Sequence, residues 1–413
     1  MKLRFTPIAG TSARYWALLG GFGAVIAMGL LASHHMETHG HWVTGMNNQV
    51  VWGLPHVFAV FLIVAASGAL NIASISSVFG KKVYKPLARL SALLALTLLL
   101  GGLAVLVLDL GRPDRLIIAM TRYNLKSIFA WNMILYNGFF LIVGVYLWMM
   151  MEKKMNKYTR PAGFAAFFWR LILTTGTGSI FGFLVARQGY DAAIFAPMFV
   201  IMSFAYGAAI FILVMFAAYN GSGRSLGDLV VMRLKNLLGV FVASALYFVA
   251  VFHLTNLYAT EHHAYEGFIL LGQNGGGVYA SLFWLGQVLI GGIIPLLLLY
   301  FPTTGSDRKY IMLACVLVIF GGLAQMYITI IGGQAFPLVL FPGMDVSSSF
   351  NDGIANTYSP SIWEFMLGVS GMFITFAAVT FALKILPFLP ESLADSVVDP
   401  HHHSDKATDS AKA

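Results

Sequence analysis

The chain has 413 residues, 58% of them hydrophobic and only 10% charged, with a mean hydropathy of +0.78, which excludes a water-soluble globular protein and requires an integral membrane protein. The formal net charge of +8 falls in short clusters between apolar runs, the pattern that sets membrane topology, so it excludes a nucleic-acid surface. A single cysteine, Cys315, excludes a disulfide framework and any cysteine-held iron–sulfur cluster or structural zinc.

Crossing about 30 Å of hydrocarbon takes roughly 20 helical residues. Runs of that kind extend from about Tyr15 to Ser33, His56 to Phe79, Leu90 to Leu108, Ser127 to Met150 and Phe164 to Ala186. Five more extend from about Ala192 to Tyr219, Leu237 to Tyr258, Val278 to Phe301, Tyr310 to Gln334 and Ile362 to Leu386. They are continuous rather than alternating, and backbone groups in lipid must be satisfied within a segment, so the fold class is all-α with about ten transmembrane helices. The first run is longer than a signal-peptide core and no A-x-A-like site follows it, so it is read as a retained span. Pro197 and Pro295 predict kinks in spans six and eight. Residues 1–390 form one integral membrane domain, and the polar stretch 391–413 is expected to be a disordered cytoplasmic tail.

Lysines and arginines collect on one face: Lys2, Arg4 and Arg14; Lys81 to Arg89; Lys153 to Arg160; Arg224 to Lys235; Arg308 and Lys309. The positive-inside rule then places both termini in the cytoplasm of a multi-pass inner-membrane protein. The loop after span three breaks the rule, since it carries Arg112, Arg115, Arg122 and Lys126 on the outer face, where Arg187 is the one other basic residue. Such charges need a local reason, and pairing of Arg112 or Arg115 with Asp109 supplies one.

Ionisable residues in a bilayer are costly and mark functional sites by default. The carboxylates nearest the spans, Asp109, Asp191, Glu261, Glu266 and Glu364, all fall toward the outer face, so no carboxylate relay crosses the membrane. Arg170 is expected to snorkel to the inner interface. His56 and His253 are the within-span histidines, which excludes two stacked haems and disfavours one, and the cluster "HHMETHGH" reads as a solvated loop rather than a metal site. In "LDLGRPDR", Gly111 and Pro113 form a helix stop. Beyond it Tyr123, Asn124, Lys126, Ser127, Trp131, Asn132 and Tyr136 place hydrogen-bonding groups on the first turns of span four, with Ser127, Trp131 and Asn132 near one sector. An apolar wall with a few polar groups and nearby proton carriers suits a quinone headgroup.

Through "LDLGRPDR" followed by "KSIFAWNMILY", the sequence resembles the NrfD/PsrC family, the membrane subunits of polysulfide reductase-like complexes, and within it the DsrP-type subunit of sulfur-metabolising prokaryotes. The resemblance implies two four-helix bundles plus extra helices, no haem or iron–sulfur cluster of its own, and a quinone site near the outer face. It also implies a docked periplasmic iron–sulfur subunit, with cytochrome c and further redox subunits as possible companions and no nucleic acid. The protein would then exchange electrons between the quinone pool, menaquinone or ubiquinone, and that subunit, being catalytic within the complex rather than alone. His56 and Asp109 are the expected proton acceptors. Arg112, Tyr123, Ser127, Trp131 and Asn132 are the expected headgroup contacts, Arg112 holding the anionic form of the quinol. Protons are expected to leave outward without strong pumping. A secondary transporter, which usually carries its substrate groups near mid-membrane, and a purely structural anchor are the alternatives.

Overall fold

The computed structural model describes residues 4–8, 12–338 and 354–399. Ten of its helices are long and apolar enough to span a membrane: α1 (Ala13–His39), α2 (Leu54–Ser77), α3 (Ala88–Leu108), α4 (Ile128–Met151) and α5 (Thr159–Gly182). The remaining five are α6 (Phe195–Ser222), α7 (Asp228–Tyr258), α8 (Gly277–Tyr300), α9 (Arg308–Ala335) and α10 (Ile362–Ile385). These match the ten apolar runs, and the protein is an integral multi-pass membrane protein.

Helices α2 to α5 pack as one four-helix bundle and α6 to α9 as a second. The bundles meet mainly through α2 and α5 against α6, while α1 pairs with α10, and α10 lies on α2 and α3. Helix α2 is therefore enclosed from every side and is the most buried span. A Cβ at Gly68 would collide with the Ser203 carbonyl, and one at Gly207 with the backbone at Gly68, so glycine on both helices sets the closest approach of α2 to α6.

Helix α2 breaks at Leu70. Its freed backbone groups are taken up locally: the Ser91 hydroxyl donates to Ala69 O (2.7 Å) and accepts from Ala73 N (3.0 Å). Arg170 completes the break. It does not snorkel; it is fully buried, its guanidinium donating to Asn71 Oδ1 (2.8 Å) and lying between the Phe167 and Phe204 rings at 4.9 and 5.0 Å. Residue 170 lies too far inside the helix for the head to reach the surface, and the oxygens on α2 and the flanking rings solvate it instead.

The two ends of the described chain lie together. Strand β1 (Phe5–Thr6) pairs antiparallel with β2 (Leu389–Pro390), and Arg224 binds the carbonyls of Thr6, Pro7, Leu389 and Pro390. The expected disordered tail is ordered at its start, because Leu393 bridges to Leu226 and Asp395 opens a helical turn to Val398. Residues 400–413 lie outside the described residues.

Candidate functional site

The site is assembled at the end of the bundle opposite the paired chain ends. Gly53 is the N-cap of helix α2 and Pro55 lies in its first turn, which places His56 in that same turn. Asp109 caps the C-terminus of α3, its N–H still bonded to Val105 O (2.9 Å), so its side chain turns back into the bundle and is almost fully buried. There His56 Nδ1 lies 3.0 Å from Asp109 Oδ2, and His41 Nε2 lies 3.9 Å from Oδ1 and 3.2 Å from the Asp109 carbonyl. The His56–Asp109 contact has hydrogen-bond length without the alignment, so both carboxylate oxygens and Nδ1 are buried with no hydrogen-bond partner among the described residues. A buried carboxylate in that state is costly unless paired, and the His56 imidazole is the group nearest to it that can pair. The His56 side chain remains 25% exposed.

Trp52 forms the wall beside it. Its ring lies nearly parallel to His56 (6.3 Å, 23°) and edge-on to Phe129 (5.9 Å) and Phe181 (6.0 Å), joining the first bundle's α2, α4 and α5. The loop carrying Trp52 is fixed by buried polar groups. Gln334 Oε1 accepts the N–H groups of Val51 and Trp52 (2.9 and 3.0 Å), and Arg187 donates to Gln334 O and Gln49 O (2.8 and 3.0 Å). Glu364, fully buried, accepts from Gly45 N, Ser361 N and the Tyr358 hydroxyl, and that hydroxyl accepts from Leu54 N (2.7 Å).

The expected Arg112–Asp109 pair does not form. Arg112 instead makes a two-pronged pair with Asp114 (both 3.1 Å) on the exposed surface, holding that carboxyl below its usual range by hydrogen bonding. The reason is geometric: Asp109 points inward from the helix end, and the Leu110–Gly111 turn carries Arg112 outward past it. The expected sector on α4 also divides. Adjacent helical residues point about 100° apart, so Trp131 is half exposed, its indole N–H bonded to Leu125 O (2.9 Å), while Asn132 is buried. Asn132 donates to Ile128 O and Gly176 O (2.9 and 3.2 Å) and thereby ties α4 to α5. Ser127 occupies the N-cap of α4 without a side-chain capping bond, and Tyr123 is exposed beside it.

Three features escape a linear reading. His35 and His39 are helical, not loop residues; α1 continues to His39 because His35 stacks on Trp363 (4.1 Å) and on His39 (4.2 Å). In the second bundle His253 Nδ1 meets Glu266 Oε2 at 2.7 Å and Asn256 donates to Glu266 Oε1 at 2.8 Å, all three buried. Between α6, α7, α8 and α9 a cavity of about 30 Å³ is lined by Gln287 and Gln325, whose amide oxygens have no partner among the described residues. That space suits about two waters.

The fold and site thus define a ten-span membrane protein in which a half-buried imidazole and a buried carboxylate meet behind an aromatic wall at one rim. The protein belongs to the polysulphide reductase NrfD family, whose model matches residues 42–338. It is 28% identical over 400 residues to the Hdr-like menaquinol oxidoreductase integral membrane subunit of Archaeoglobus fulgidus, covering 97% of this chain and all of that protein. It is 22% identical to the menaquinone reductase integral membrane subunit of Nitratidesulfovibrio vulgaris, over 88% of this chain and 89% of that protein. A polysulfide reductase subunit of Wolinella succinogenes is 24% identical, over 70% of this chain and 96% of that protein.

Proposed function

We propose that the protein is the quinone-interacting membrane subunit of a redox complex, exchanging electrons between the membrane quinone pool and an iron–sulfur partner docked at the His56–Asp109 rim. The observation that carries this reading is the contact of His56 Nδ1 with buried Asp109 behind Trp52 and Phe129. An apolar wall admits a lipophilic ring, and a half-open imidazole backed by a carboxylate can take its proton. With Nδ1–H turned to Asp109, Nε2 is the free acceptor. Quinol oxidation releases two protons and two electrons. Each hydroxyl proton passes to Nε2 of His56, Asp109 balances the imidazolium charge, and the proton leaves to water at the same rim. The electrons leave one at a time to the partner's cluster. Run backwards, the same groups protonate a reduced quinone, because the partners set the driving force.

The menaquinone class is favoured by the names of two relatives, the menaquinol oxidoreductase and the menaquinone reductase subunits. The basic clusters favour cytoplasmic chain ends and a periplasmic site in the inner membrane. The exposed Arg115, Arg122 and Lys126 then face the docked partner, and a place in sulfur metabolism rests on the DsrP-type resemblance alone. A photoreactive menaquinone analogue tests the reading in the intact complex. Labelling is expected at Trp52, His56 or Phe129; labelling confined to the opposite rim, or purification without a redox partner, contradicts it.

A further inference from the structure

At the far end of α4 from His56, the α4–α5 interface opens outward into a groove of about 370 Å³. Leu141, Val145 and Met149 form one wall at four-residue spacing, and Pro161, Ala162 and Ala165 form the other. From Leu141 to Met149 the apolar wall extends about 12 Å along the helix, a length that matches a stretch of extended acyl chain.

The turn that closes the groove is basic. Lys153, Lys154, Lys157 and Arg160 are all exposed there, against one carboxylate, Glu152, which accepts the Lys154 N–H at 3.2 Å. None of the four cations is ion-paired among the described residues. Lys157 instead lies 4.8 Å from the ring of Tyr158, and that ring lines the groove. A soluble anion would satisfy the cations and leave the groove bare, whereas a zwitterionic lipid would fill the groove and leave the cations uncompensated. We propose that the groove binds an anionic phospholipid, one acyl chain lying along α4 and the phosphate held by the basic turn.

Native mass spectrometry on the full-length protein, released from bilayers of equal phosphatidylglycerol and phosphatidylcholine, tests this. The protein is expected to retain phosphatidylglycerol about fivefold over phosphatidylcholine. Lys154→Gln with Lys157→Gln removes the preference but not lipid retention, and Ala165→Trp, which fills the groove, removes both. Equal retention of the two lipids by the unaltered protein overturns the proposal. So does an Ala165→Trp protein that keeps its phosphatidylglycerol, the result expected if a protein partner or a second copy covers this face.

Discussion

Replacing Glu364 by Gln probes how the loop that presents Trp52 and leads into His56 is held. The carboxylate accepts from Gly45 N (2.8 Å), Ser361 N (2.8 Å) and the Tyr358 hydroxyl (2.6 Å) with no exposure to solvent. A glutamine keeps one acceptor oxygen, which turns to hold the two backbone N–H groups, and sets its NH₂ group against the Tyr358 hydroxyl, whose own proton is left without its acceptor. Losing a hydrogen bond to a charged acceptor costs about 1.5–3 kcal/mol, and a buried donor left unmatched costs about 1–3 kcal/mol more. Glu364→Gln is therefore expected to lower stability by about 3–5 kcal/mol. Tyr358→Phe, which also strands Leu54 N, is expected to cost about 2 kcal/mol. Both changes disable one bridge, so the double variant falls short of additivity by about 1–2 kcal/mol. Unfolding in mixed micelles, followed by tryptophan fluorescence, measures all three. A Glu364→Gln cost below about 0.5 kcal/mol, or additive effects, refutes the clamp.

Breaking the second buried pair with His253→Phe is expected to destabilise the protein by about 3–5 kcal/mol while leaving quinol turnover per folded complex unchanged. A turnover loss without destabilisation would move the chemistry to the second bundle. Arg170→Met strands Asn71 Oδ1 and is expected to cost about 1–3 kcal/mol, most of it recovered by adding Asn71→Leu; micelle unfolding of both variants checks the recovery. Burial raises the phenol groups of Tyr190 and Tyr265 above their ordinary value of 10.0. A raised folded-state value means stability that is complete below the unfolded value and lost as pH rises beyond it. Unfolding midpoints are thus expected to be flat in this respect up to about pH 10 and to fall above it, with less fall in Tyr190→Phe. An alkaline limb unchanged by that substitution contradicts the assignment.

The ten spans were legible because hydropathy is a property of contiguous residues, and the runs fall on the helices within a few residues. The nearness of His56 and Asp109 to one rim was legible by depth, but their contact was not, since the sequence pattern paired Asp109 with Arg112 or Arg115. Which group answers Asp109 was not legible, because the outcome depends on the direction in which a helix end turns: Arg112, three residues away, points outward, while His41 and His56 arrive from elsewhere in the sequence. Asn132 and Trp131 show the same limit, since the step of about 100° between adjacent helical residues buries the first and exposes the second. Arg170 and Glu266 were visible as residues, but their partners Asn71 and His253 come from helix packing that no linear pattern encodes.

Quinol oxidation by the intact complex carrying His56→Gln, Asp109→Asn or both tests the central claim most directly. Each single change is expected to lower kcat by about 10²–10⁴ with the rest of the complex intact. The double variant should be no slower than the worse single, because the two groups act as one unit. Undiminished turnover in either single variant, or a double loss equal to the product of the two, would contradict the account.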